Sequence, residues 1–221
     1  MNKSVVASVL AVASLCLGSA AMAQSLQNAS FESLALGDGS SLRVNSHNLA
    51  GWDVSKQADI ARSQVKVVNP SEGKSRYVPD GANLASIING AELRQSFATV
   101  AGNSYSFSFL WDAKGQDGSL KVLNGGSSGS TLFENSLLAN ASGKLVSRTV
   151  SFVATGALST ISFMAGTPLL NDALRGGGMG SKLLVDGLQF ATTVPEPSGF
   201  AMVLAGLGAL ALMFRRRRLQ G

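Results

Sequence analysis

The chain has 221 residues, a formal net charge of +5, one cysteine and one histidine. That inventory excludes a zinc site of the usual Cys/His kind, and His47 alone would have to serve any Ser-His-Asp arrangement, with no Gly-x-Ser-x-Gly elbow in the chain. The basic balance belongs to the ends: Lys3 and Arg215 to Arg218 supply five of the eighteen cations and Glu196 one of the thirteen acids, which leaves residues 24–193 near neutrality and argues against a nucleic-acid partner.

The N-terminus reads as an export signal over residues 1–23. Lys3 precedes an apolar run from Val5 to Leu17, and Ala21-Met22-Ala23 supplies the small-x-small pattern that signal peptidase reads, so cleavage is expected before Gln24. Cys16 lies inside the apolar run and leaves with it, so the mature chain has no disulfide.

Residues 24–193 are rich in Gly, Ser, Asn and Thr, with short apolar alternations between turn signals, the texture of an all-β sandwich. Strands are predicted over 65–68, 84–88, 93–99, 105–111, 119–123, 146–153, 159–164 and 182–190. The clearest is Tyr105 to Trp111, where Tyr105, Phe107, Phe109 and Trp111 share one face and Ser106 and Ser108 the other. Pro79-Asp80-Gly81 is a turn signal, and Asp112 and Asp117 read as loop formers. Tyr77, and with less freedom Trp52, are the aromatics that a sugar could stack on.

The C-terminal segment 194–221 has three parts in order. Pro195-Glu196-Pro197 holds the backbone extended, Ser198 to Phe214 is an apolar or small-residue run long enough for a short membrane helix, and Arg215, Arg216, Arg217 and Arg218 form a cytoplasmic stop. Everything before Pro195 is then expected outside the inner membrane.

This tail resembles the PEP-CTERM sorting signal, which implies recognition and cutting by an exosortase, passage through an inner-membrane-anchored state, and delivery to the cell surface or extracellular matrix. The middle is similar to galactose-binding-like jelly rolls of the carbohydrate-binding-module kind. Asn28-Ala29-Ser30-Phe31-Glu32 resembles their opening motif, Gly51-Trp52-Asp53-Val54 the next, Leu93 to Phe109 the long central one and Val185-Asp186-Gly187-Leu188 the closing one. Ala29 and Gly187 depart from the usual glycine and asparagine. The resemblance implies a jelly-roll β-sandwich and a structural calcium held by Glu32 and Asp186 with carbonyl help; ordinary turn carboxylates are the alternative. The resulting expectation is an exported, non-enzymatic, adhesive or structural protein with weak affinity for extracellular polysaccharide. The alternative is a secreted polysaccharide-acting enzyme using unrecognised carboxylates.

Overall fold

The computed structural model describes residues 26–60, 62–70, 79–115, 117–138, 144–167 and 180–193, all within a compact unit running from Ala23 to Thr193. The signal segment, Tyr77, the Pro195–Pro197 motif, the apolar segment 198–214 and the arginine cluster lie outside these residues. Among those described, no helix is long and apolar enough to cross a membrane.

Eleven strands form two antiparallel sheets. They are β1 (Ser41–Val44), β2 (Asp53–Ser55), β3 (Gln64–Val68), β4 (Leu84–Ile88), β5 (Glu92–Ala98), β6 (Ser104–Lys114), β7 (Gly118–Asn124), β8 (Thr131–Leu137), β9 (Val146–Val153), β10 (Leu158–Met164) and β11 (Lys182–Thr193). The six-stranded sheet has the order β1-β3-β4-β11-β6-β9, and the five-stranded sheet β2-β5-β10-β7-β8. Only the β3–β4 and β7–β8 steps stay within one sheet; every other step crosses the sandwich, which is the wrapping of a jelly roll.

The core follows from strict alternation. Tyr105, Phe107, Phe109 and Trp111 on β6 are all buried and face the five-stranded sheet. Phe163 on β10 meets Phe109 edge-on at 5.2 Å, and Phe97 on β5 meets Phe190 edge-on at 4.9 Å. Such contacts add about 0.5–1.5 kcal/mol each beyond the apolar area they bury. Val65, Val67, Ile87, Leu183 and Val185 complete the inner face of the six-stranded sheet without exposure.

Three strands are absent from the sequence expectation. β1 and β2 are edge strands of four and three residues, too short to show a period, and β8 carries a register irregularity against β7 between Val122 and Leu123 that breaks its alternation. Asp112 also departs from its reading as a loop former: β6 continues to Lys114, and Asp112 is a fully buried strand residue. Asp117 lies in the exposed turn that follows.

The packing carries a direct test. Phe163→Ala should cost about 3–5 kcal/mol in urea unfolding of the full-length protein, because a fully enclosed ring would leave a cavity. Val100→Ser, at a loop position 54 % exposed, should cost less than about 1 kcal/mol.

Candidate functional site

Two regions gather polar side chains. The first is a corner where the opening, second and closing motifs meet. Asn28 has a φ of 50° and Phe31 a φ of 61°, and the tight turn between them is closed by the Phe31 N–H donating to the Asn28 carbonyl at 3.2 Å. The Trp52 indole N–H donates to the same carbonyl at 3.1 Å, and the ring packs on Phe31 with centroids 5.3 Å apart. Trp52 is thus 2 % exposed, and its hydrogen-bonding group is spent on the turn.

Glu32 then reaches across to the turn before β4. Its Oε1 accepts from the backbone N–H groups of Ala82 (2.9 Å) and Asn83 (2.7 Å). Asn83 returns the contact, its amide donating to the carbonyls of Leu34 (2.8 Å) and Phe31 (3.2 Å). Gly81, at φ 101°, has no room for a side chain, since a Cβ would lie 2.6 Å from Glu32 Oε1.

Asp186 enters the same corner from β11, where the register shifts between Asp186 and Gln189. It is fully buried, and Oδ2 accepts from the Asp80 backbone N–H. Burial pushes its carboxyl up to about 7, and the nearby Asp80 and Glu32 carboxylates add to the rise against the pull of the backbone N–H groups of Asp80 and Gly187. Gly187 sits at φ 56°, the left-handed region where asparagine is the commonest substitute for glycine, which accounts for the departure from the closing motif.

Part of this corner has the donor chemistry that calcium takes. Asp186 Oδ1 and Asn83 Oδ1 are buried oxygens without a hydrogen-bond partner, which is the donor chemistry a hard cation takes. Glu32 contributes less, because its carboxylate already anchors the 82–83 amides. Among the described residues no three His, Cys, Asp or Glu side chains converge, so an ion here would depend on Asp186, Asn83 and carbonyls.

The second region is the outer face of the five-stranded sheet. Alternation places Asp53, Glu92, Arg94, Ser96, Thr160, Ser162, Lys121 and Glu134 there, and cross-strand register sets Asp53 opposite Arg94 and Lys121 opposite Glu134. Arg94 pairs with Asp53 at 2.7 Å and approaches Glu92 at 3.6 Å; Lys121 pairs with Glu134 at 3.0 Å. Ser162 donates to Glu92 at 2.5 Å, and Ser96 shares a 2.8 Å hydrogen bond with Thr160. The hydroxyl of Ser46 (2.6 Å) and the Arg94 guanidinium hold the Asp53 carboxyl below the usual carboxylate range, against partial burial. A depression of about 440 Å³ opens over Asp53, Arg94, Ser96 and Thr160, bordered by Trp52 and Ser127. His47 stands exposed in the neighbouring turn, its backbone N–H donating to Asn45 Oδ1 at 2.9 Å.

The architecture is therefore an all-β sandwich with one acid-lined corner and polar outer sheet faces. Residues 193–218 match the PEP-CTERM protein-sorting motif, which marks an exported protein and implies processing by an exosortase. The sandwich is similar to several solved carbohydrate-binding modules. TmCBM61 in complex with beta-1,4-galactotriose is 17 % identical, with a TM-score of 0.48 over 77 % of this chain and 99 % of that one. A CBM4 structure is 14 % identical, with a TM-score of 0.48 over 76 % and 100 %. CsCBM6-3 from Clostridium stercorarium in complex with cellobiose is 11 % identical, with a TM-score of 0.38 over 72 % and 100 %. No curated protein is significantly similar in sequence.

Because its carboxyl is raised in the folded state from 3.8 to about 7, Asp186 stabilises the fold most below pH 4, and that contribution is lost as pH rises through 7. In chelator, the urea midpoint should fall between pH 5 and pH 8, by a free energy of at most about 3 kcal/mol. Asp186→Asn should flatten the profile. Calcium should restore the pH 8 midpoint of the wild type and leave the Asn variant unmoved.

Proposed function

We propose that the chain is an exported, non-enzymatic β-sandwich that contacts extracellular polysaccharide and serves an adhesive or structural role at the cell surface or in the surrounding matrix. The observation that carries this reading is the outer face of the five-stranded sheet, an open depression lined by hydrogen-bonding side chains already fixed by one another. Arg94 is held by Asp53 and Glu92, and Ser96 by Thr160, so hydroxyl-rich ligands meet a preorganised set of donors and acceptors. The ions on this face are paired, which suits a neutral glycan. With Trp52 buried, recognition by the described residues would rest on hydrogen bonds with little stacking, and affinity would be weak.

A non-enzymatic role is supported by the state of these carboxylates. A general acid needs a raised pKa, whereas Asp53 is held ionised and the raised Asp186 is enclosed in the corner away from the depression. A calcium ion, if held by Asp186, Asn83 and nearby carbonyls, would compensate buried charge and stiffen the corner; it would have no part in chemistry.

Affinity electrophoresis of the full-length protein in detergent, through gels containing soluble β-glucan, galactan or xylan, tests the reading. Retardation is expected in at least one neutral gel, with Arg94→Gln and Asp53→Asn weakening it about tenfold or more while the unfolding midpoint stays within about 1 kcal/mol of wild type. Release of new reducing ends that one carboxylate-to-amide change abolishes would replace this reading with the enzymatic alternative.

The sorting route is tested separately in the producing cell. The mature protein should begin at Gln24, lose mass near Pro195 and be recovered outside the cell. Removal of residues 195–221 should stop that processing. An intact tail retained in the inner membrane would leave a simple anchored domain in its place.

A further inference from the structure

The two ends of the sandwich differ in chemistry. At the end where β11 stops, β5, β7 and β9 also finish and β6, β8 and β10 begin. The loops there run over 99–103, 125–130 and 154–157, and hydrogen bonds lock them to their neighbours. The Gly102 N–H donates to the Ala154 carbonyl at 2.7 Å, the Thr99 N–H to that of Ala157 at 2.9 Å, and the Gly125 N–H to that of Leu158 at 2.7 Å.

Three side chains of this end are large, apolar and exposed: Val100 (54 %), Val153 (53 %) and Leu158 (40 %). Ala98, Ala101 and Ala157 are exposed beside them. The loops are open at Gly102, Gly125 and Gly126, where an added Cβ would meet no atom within 4 Å. No charged residue or histidine occurs in 95–111, 122–133, 149–164 or 187–195, so this end has no charge to desolvate against an apolar partner. The opposite end, by contrast, carries Lys114, Asp117 and Lys182.

The sorting tail leaves from the uncharged end. Thr193 of β11 is level with Ser104 and, one strand further, with Val153. Four residues, 194–197, separate it from the apolar run 198–214. Four extended residues reach at most about 14 Å. The headgroup layer on one side of a bilayer takes up about 5–7 Å of that distance. So short a tether keeps this end at the membrane surface and raises the effective concentration of any weak contact it makes there.

We infer that the uncharged loop end, through Val100, Val153 and Leu158, docks on the neutral headgroup layer of the bilayer that the tail enters, a role that rests on residues 198–214 crossing that bilayer. Three aliphatic side chains give only a shallow, reversible contact. While the tether lasts, the contact orients the domain and holds Pro195–Pro197 at the surface. Once the tail is cut, it is too weak to retain the domain.

The test uses the full-length protein reconstituted in phosphatidylcholine vesicles, in a Cys16→Ala background that leaves one introduced cysteine for a fluorescent label. Nitroxide carried on the lipid should quench the label in the Val100→Cys, Val153→Cys and Leu158→Cys variants at least about twofold more than in Leu138→Cys. Leu138 is 61 % exposed but follows β8 at the opposite end. Phosphatidylglycerol or added salt should leave the quenching unchanged, because the end carries no charge. Quenching that rises with phosphatidylglycerol and falls in salt overturns the inference in favour of a charged contact. Alkaline washing separates two further outcomes. Protein washed off the vesicles overturns the membrane-segment reading and the inference with it. Protein retained, with quenching at the three positions no stronger than at Leu138, overturns the inference alone. Disulfide-linked dimers of the Val100→Cys variant in place of quenching overturn it in favour of a second copy of the chain.

Discussion

The structure depends on how the start of the domain is tied to its middle and end. A carboxylate, Glu32, caps two backbone amides fifty residues away, while Asn83 binds back to the carbonyls of Phe31 and Leu34. These bonds hold Phe31 at a positive φ, a conformation a bulky residue adopts only when its surroundings over-determine it. The enclosure is complete: Phe31 has no exposure, Trp52 covers its ring, and the Leu188 N–H donates to the Ala29 carbonyl from β11. One turn therefore ties together the segment before β1, the connection into β4, and the last strand.

That tie also explains the shape of the acid corner. The Leu188 bond to Ala29 comes where β11 slips its register against β6, and Gly187 supplies the left-handed residue that the slip requires. A side chain at Gly187 would come within 3.0 Å of Asp80, so the same glycine lets the β4 turn approach close enough for the Asp80 amide to reach Asp186. Carboxylate burial follows from backbone closure here, and the elevated pKa of Asp186 is its electrostatic cost.

Much of this was legible from residue order alone. The alternation over Tyr105 to Trp111 marked the central strand and its inward face, and Leu84–Ile88 and Val146–Val153 emerge at the boundaries read from their turn signals. The opening, second and closing motifs do meet in space, but what each does there was not legible. Trp52 reads as a weaker platform than Tyr77, and its burial with the indole N–H on the Asn28 carbonyl assigns it to the core. Asp112 looked like a loop residue because glycine and aspartate follow it, whereas β6 runs on and encloses it. Short edge strands carry too few residues to display a period, which is why β1 and β2 were silent.

The distribution of charge is the part a linear reading is least able to see. Over residues 24–193 cations and acids nearly cancel, and nothing clusters along the chain. Folding separates them. On the five-stranded sheet the register brings opposite signs together, Asp53 with Arg94 and Glu134 with Lys121, so that face presents fixed hydrogen-bonding groups with little field. On the six-stranded sheet the register instead sets Arg43 opposite Lys66 and Lys182 opposite Lys114, like signs brought together from distant parts of the chain by pairing alone. Like charges opposed across strands are an unfavourable term that folding must outweigh. A near-neutral sequence thus folds into two sheets whose charges are distributed differently, complementary across the strands of one and alike across two strand pairs of the other.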